Sequence, residues 1–97
     1  MASIKILKVS NVLGTVKLMI TAGQVKAARS LLGLSQRDLS EMADLGIATV
    51  KRLETAAEPR GAVTTILKAQ AALEKAGIEF IPAEGGKGPG VRLSQDG

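Results

Sequence analysis

The chain has 97 residues, enough for one domain with a core of modest size. It contains no cysteine, no histidine and a single aromatic residue, Phe80, which removes disulfides, thiolate or imidazole metal sites and histidine acid–base chemistry from consideration. The net charge of +4 favours polyanionic partners, and a core of small aliphatics suits close helix packing better than a deep ligand pocket. No apolar run approaches the roughly 20 residues of a membrane span. Lysines interrupt the amino-terminal apolar residues, so no signal-peptide core forms, and a cytoplasmic protein without a membrane partner is expected.

Residues 1–18 form an amino-terminal extension. Ile4, Ile6 and Val9, then Val16, Leu18 and Ile20, fall at near-alternate positions with Lys5, Lys8 and Lys17 between them. Alternation of this kind predicts strand, with Asn11-Val12-Leu13-Gly14 turning a hairpin. A loosely ordered leader ahead of a start at Met19 is the competing reading.

A helical domain over 19–77 follows. Thr21 and Gln24 have the spacing of a capping box, and Val25, Ala28, Leu31 and Leu32 make one apolar face before Gly33 stops the helix. Ser35 and Asp38 repeat the capping pattern ahead of a short helix whose Leu39, Met42 and Ala43 point inward. The turn falls at Asp44-Leu45-Gly46, and the next helix runs from about Ile47 to Thr55. Glu58-Pro59-Arg60-Gly61 reads as a loop. Thr64 or Thr65 then caps a fourth helix that buries Ile66, Ala69, Leu73 and Ala76 and stops at Gly77.

Over 78–97 the pattern changes again. Ile78-Glu79-Phe80-Ile81 alternates like a strand, Pro82 to Gly90 is loop, and Val91-Arg92-Leu93 returns as a second strand. The run Glu84-Gly85-Gly86-Lys87-Gly88-Pro89-Gly90 lacks the spacing and following helix of a phosphate-binding loop. It reads as a hairpin loop, and Phe80 as core or dimer contact.

Chemistry concentrates between Leu34 and Glu54. In the helix from Ile47, Val50 and Leu53 turn inward with Leu39 and Leu45, whereas Ala48, Lys51, Arg52 and Thr55 share the opposite side. Lysine or arginine on such a side can donate to guanine O6 and N7, and apolar groups can touch thymine methyls in the major groove. Ala48 keeps the helix slim, Ile47 offers a methyl-reading surface, and Gln36 sits where a helix start and a long amide can clamp a phosphate. Between Thr21 and Val63 the basic residues Lys26, Arg29, Arg37, Lys51, Arg52 and Arg60 face the acidic Asp38, Glu41, Asp44, Glu54 and Glu58. Placement therefore matters more than bulk charge.

The elements Leu34-Ser35-Gln36, Leu39, Ala43, Leu45, Thr49-Val50, Arg52 and Leu53-Glu54 resemble the helix-turn-helix of the λ repressor/Cro-like, or Xre, family. The likeness extends more weakly from Thr21 to about Gly77. It implies a mainly α fold, a compact bundle of four to five helices, here with short strand or hairpin segments at the termini. It also implies a homodimer on a palindromic or near-palindromic duplex-DNA operator, with Gln36, Ile47, Ala48, Lys51 and Arg52 at DNA-contacting positions. Arg37, beside Gln36, joins the candidate set.

Asp44 stands where the family has Gly, and Gly46 where it has Ser or Thr. Aspartate tolerates the left-handed backbone of a tight turn, and glycine caps a helix at modest cost. The expected function is transcriptional regulation by repression, without catalysis, cofactor or metal. An antitoxin-type interaction protein that also binds its own promoter, with a toxin as protein partner, is the alternative. Terminal strand segments are the candidate dimer contacts, with pairing inside one subunit as the other arrangement.

Overall fold

The computed structural model describes residues 20–55 and 63–94. Over these residues the chain forms four helices, α1 (Ala22–Leu32), α2 (Gln36–Ala43), α3 (Ile47–Thr55) and α4 (Val63–Lys75), followed by strands β1 (Ile78–Ile81) and β2 (Gly90–Leu93). The fold is mainly helical, with a small two-stranded antiparallel sheet. The strand or leader expected over 1–18 and the loop at 58–61 lie outside the described residues.

Local chemistry sets the helix ends. Thr21 Oγ1 accepts from the Gln24 N–H while Gln24 Oε1 accepts from the Thr21 N–H, a complete capping box. Ser35 and Asp38 make the same reciprocal pair ahead of α2. Both helices also end alike. Gly33 is left-handed at φ 69°, its N–H donates to Ser30 O, and the Leu34 N–H reaches back to Arg29 O. Asp44 is left-handed at φ 57°, with Asp44 N–H on Glu41 O and Leu45 N–H on Ser40 O. In each Schellman turn the residue after the left-handed one, Leu34 or Leu45, packs against the core. Gly46 then starts α3, its carbonyl accepting from Thr49 and Val50.

The core gathers Val25 and Ala28 from α1, Leu39 and Ala43 from α2, Val50 and Leu53 from α3, Ile66, Ala69 and Leu73 from α4, and Ile78 from β1. α2 packs on both α3 and α4, and α1 on α3, α4 and β2. Four expectations change. Met42 and Leu31 are exposed rather than inward. At about 100° per residue, each lies about 100° from the centre of its helix's buried arc, which on α2 is shifted toward Ser40. Thr64 and Thr65 lie within the first turn of α4, so neither caps it. Ala76 falls in the turn after α4 and is half-buried.

β1 and β2 pair in register Ile78↔Leu93, Glu79↔Arg92, Phe80↔Val91 and Ile81↔Gly90, so these strands pair with each other within the chain. Their connection folds into a second, tighter reversal. Glu84 and Lys87 exchange backbone hydrogen bonds at 3.0 Å across Gly85 and Gly86, both at positive φ. A two-residue reversal of this kind needs left-handed backbone at both central positions, which a Gly-Gly pair supplies without strain. Ile78, Phe80, Val91 and Leu93 share the face toward the core, and Glu79 and Arg92 pair on the other at 2.8 Å.

Candidate nucleic-acid interface

α3 is anchored along one side and free along the other. Val50, Leu53 and Glu54 are buried, at i, i+3 and i+4 on one side of the helix. Ala48, Lys51, Arg52 and Thr55 are exposed on the opposite side, and Ile47 is half-buried at its edge. Among the described residues no ion pair or hydrogen bond engages the side chains of Lys51, Arg52 or Arg37. The Thr55 hydroxyl donates to the Arg52 carbonyl at 3.2 Å.

Glu54 is the deepest charge. Its side chain is 1% exposed, and a bare carboxylate there would cost far more than its helix could offset. Arg29 on α1 neutralises it through a fork: Nε donates to Oε2 and Nη2 to Oε1, each at 2.9 Å. The third guanidinium nitrogen, Nη1, donates to the Leu34 carbonyl at 2.9 Å. Hydrogen bonding to Glu54 raises the Arg29 pKa above its ordinary value, against the opposing effect of burial. Gln36 Nε2 also donates to Glu54 Oε1, at 3.1 Å. One carboxylate from α3 thereby ties together α1 and the first residue of α2.

The candidate residues divide accordingly. Gln36 is half-buried and joined to α3 through Glu54; Arg37, next to it, is exposed. Lys51 and Arg52 are adjacent and exposed on α3, flanked by Ala48 one turn earlier. Ser40 is buried, and its hydroxyl donates to the Arg37 carbonyl at 2.7 Å. The outward surface thus offers hydrogen-bond donors of positive charge on a slim helix, a set suited to acceptor-rich anions. Among the described residues no group of three or more acidic side chains is arranged to hold a metal ion, and no helix is long and apolar enough to cross a membrane.

No protein-family model matches this chain, and no curated protein matches it either.

Two contributors escape a reading of the sequence alone. Arg29 and Glu54 stand 25 positions apart, and Gln24 is 57 and 66 positions from the strand residues it holds. Gln24 Nε2 donates to Ile81 O at 3.2 Å and to Gly90 O at 2.8 Å, while its Oε1 completes the α1 cap. A usable signal did exist for Glu54. It falls on the same stripe as Val50 and Leu53, and a carboxylate on a buried stripe demands a cationic partner.

Proposed function

We propose that this protein is a sequence-specific duplex-DNA-binding regulator, a dimeric repressor that lays α3 in the major groove. The observation that carries the reading is the two-sidedness of α3. Its inner side is fixed by Val50, Leu53 and the Arg29–Glu54 pair, and its outer side leaves Ala48, Lys51 and Arg52 open. A recognition helix needs both properties, since its backbone must be held rigidly while its base-reading side chains stay unspent. The resemblance of 34–54 to the helix-turn-helix of the λ repressor/Cro-like family supports the same assignment.

In this reading Lys51 and Arg52 donate to guanine O6 and N7, and Ile47 and Ala48 lie against thymine methyls. Gln36 and Arg37 take the phosphate backbone beside the groove and fix the docking angle. Two copies set their recognition helices about one helical turn apart on a near-palindromic operator, and block transcription by occupying it.

Selection from a random duplex library with the full chain tests this directly. A recurring motif containing paired half-sites is expected. Arg52→Ala should then cost about 1–3 kcal/mol on that motif and relax the preference at one base pair. Uniform retention of all sequences would overturn the proposal.

A further inference from the structure

Gln36 has an amide with two N–H donors and one acceptor, and which of them faces outward depends on how the amide is turned. Glu54 decides this. Its Oε1 accepts from Gln36 Nε2 at 3.1 Å while also accepting from Arg29 Nη2 at 2.9 Å. The opposite amide orientation would set the Gln36 carbonyl oxygen against a buried carboxylate oxygen, acceptor against acceptor, with Glu54 only 3% exposed. Arg29 cannot move aside to relieve that conflict, because its Nε and Nη2 fork onto Glu54 and its Nη1 is committed to the Leu34 carbonyl.

We infer that Glu54 is a positioning residue for Gln36: it fixes the amide so that one N–H remains for a phosphate oxygen beside the α3 groove contact. The inference rests on the DNA-binding reading and adds what that reading lacks, the group that orients the clamp. A phosphate presents only acceptors, so the free N–H is the productive atom. The donor is uncharged and reads no base. Its loss weakens every duplex sequence alike and leaves the salt dependence of binding unchanged, because no counterion-releasing charge is removed.

The experiment has two arms, both on the full chain. In the first, Gln36→Met and Glu54→Asp are compared in binding to the selected duplex and to a scrambled one. Aspartate keeps a carboxylate for Arg29 but retracts it from Gln36. Each variant should lose about tenfold to a hundredfold in affinity on both duplexes, the span of one hydrogen bond to a charged group. The double variant should lose no more than either single. Multiplying losses, an unchanged affinity in Glu54→Asp, or a reduced salt slope in Gln36→Met would overturn the assignment.

The second arm needs no DNA and holds even if Glu54→Asp loosens the fold. In the unaltered protein the Gln36 side-chain amide proton on Glu54 should lie downfield of its counterpart in a solvated glutamine and be protected from exchange with water. Both protons at the shifts of a solvated glutamine, with fast exchange, would refute the hold by Glu54. A protein that passes this second arm but binds no duplex would sink the DNA-binding reading and leave the Glu54–Gln36 contact standing as structure alone.

Discussion

The α2–α3 unit and the β1–β2 hairpin differ in what holds them to the rest of the molecule. α2 and α3 contribute Leu39, Ala43, Val50 and Leu53 to the core, and Glu54 adds a buried ionic tie to α1. The hairpin contributes one buried residue, Ile78, with Phe80 and Val91 packed at the edge, and Leu93 on the same face is 53% exposed. Its remaining anchor is polar, the Gln24 amide bridging the carbonyls of Ile81 and Gly90. Its own charge pair, Glu79–Arg92, stands in solvent. Two-stranded hairpins are marginal by themselves, so this one depends on the helix it is pinned to. The helical unit is fixed from within and its outer side is free to carry recognition chemistry. The hairpin's ordering is borrowed.

The largest expected effect comes from breaking the ionic tie. Arg29→Met should destabilise the fold by about 3–5 kcal/mol, the usual cost of stranding a buried charge. Urea titration followed by helical circular dichroism measures it. A loss confined to a few tenths would mean that Glu54 finds another partner, and the contrast between the two regions would weaken.

The hairpin is tested next. Gln24→Met keeps the volume but removes both carbonyl contacts and half of the α1 cap, at a cost of about 1–3 kcal/mol. Amide exchange should quicken at Glu79 and Arg92 while Leu39 and Val50 retain their protection relative to the global unfolding limit. Equal acceleration in both regions would show that they open as one unit.

Acid sharpens the comparison further. The backbone N–H of Ser35 holds the Asp38 carboxyl below its ordinary range, and Arg92 does the same for Glu79. Both contributions are complete above about pH 5 and fade as pH falls through the lowered folded-state values. In an NMR titration, Ser35→Ala, which removes the hydroxyl's smaller contribution and keeps the backbone N–H, should return the Asp38 midpoint only part of the way toward the ordinary value. The Glu79 midpoint should rise in strong salt, which screens its exposed partner.

The smallest effect is a gain. A β-carbon added at Gly46 meets only Thr49 Oγ1, at 3.8 Å, so the site has room for a side chain. Gly46→Ser should add an acceptor for the α3 cap and raise stability by a few tenths of a kcal/mol, about what separates serine from glycine at that position. Thermal unfolding resolves it, and a drop in midpoint would mean the α3 start is not an ordinary cap.

Much of the architecture was legible because it is written locally. Thr21 with Gln24 and Ser35 with Asp38 act over three residues, and Gly33 and Asp44 act through their own backbone angles. The β1 and β2 strands were legible from alternation bounded by Gly and Pro. Among the site candidates, the exposed set of Ala48, Lys51, Arg52 and Thr55 followed from helical spacing about Val50 and Leu53.

What depended on neighbours distant in sequence was not legible. Met42 and Leu31 fit an apolar period, yet which part of the period is covered depends on where α1, α2 and their partners cross. Arg29 and Gln24 each carry a role assigned by segments that fold against them from far along the chain. The Gly85–Gly86 reversal lay between: its composition spoke for a loop, and its tightness came from Glu84 and Lys87 pairing across it.

In the proposed function the outer side of α3, and not the hairpin, meets DNA. Amide chemical-shift mapping of the full chain against a duplex carrying its selected motif tests this most directly. The account predicts the largest shifts at residues 35–37 and 46–55, with those at 78–93 nearly still. Shifts concentrated on the hairpin, or spread evenly over the exposed lysines and arginines, would contradict it.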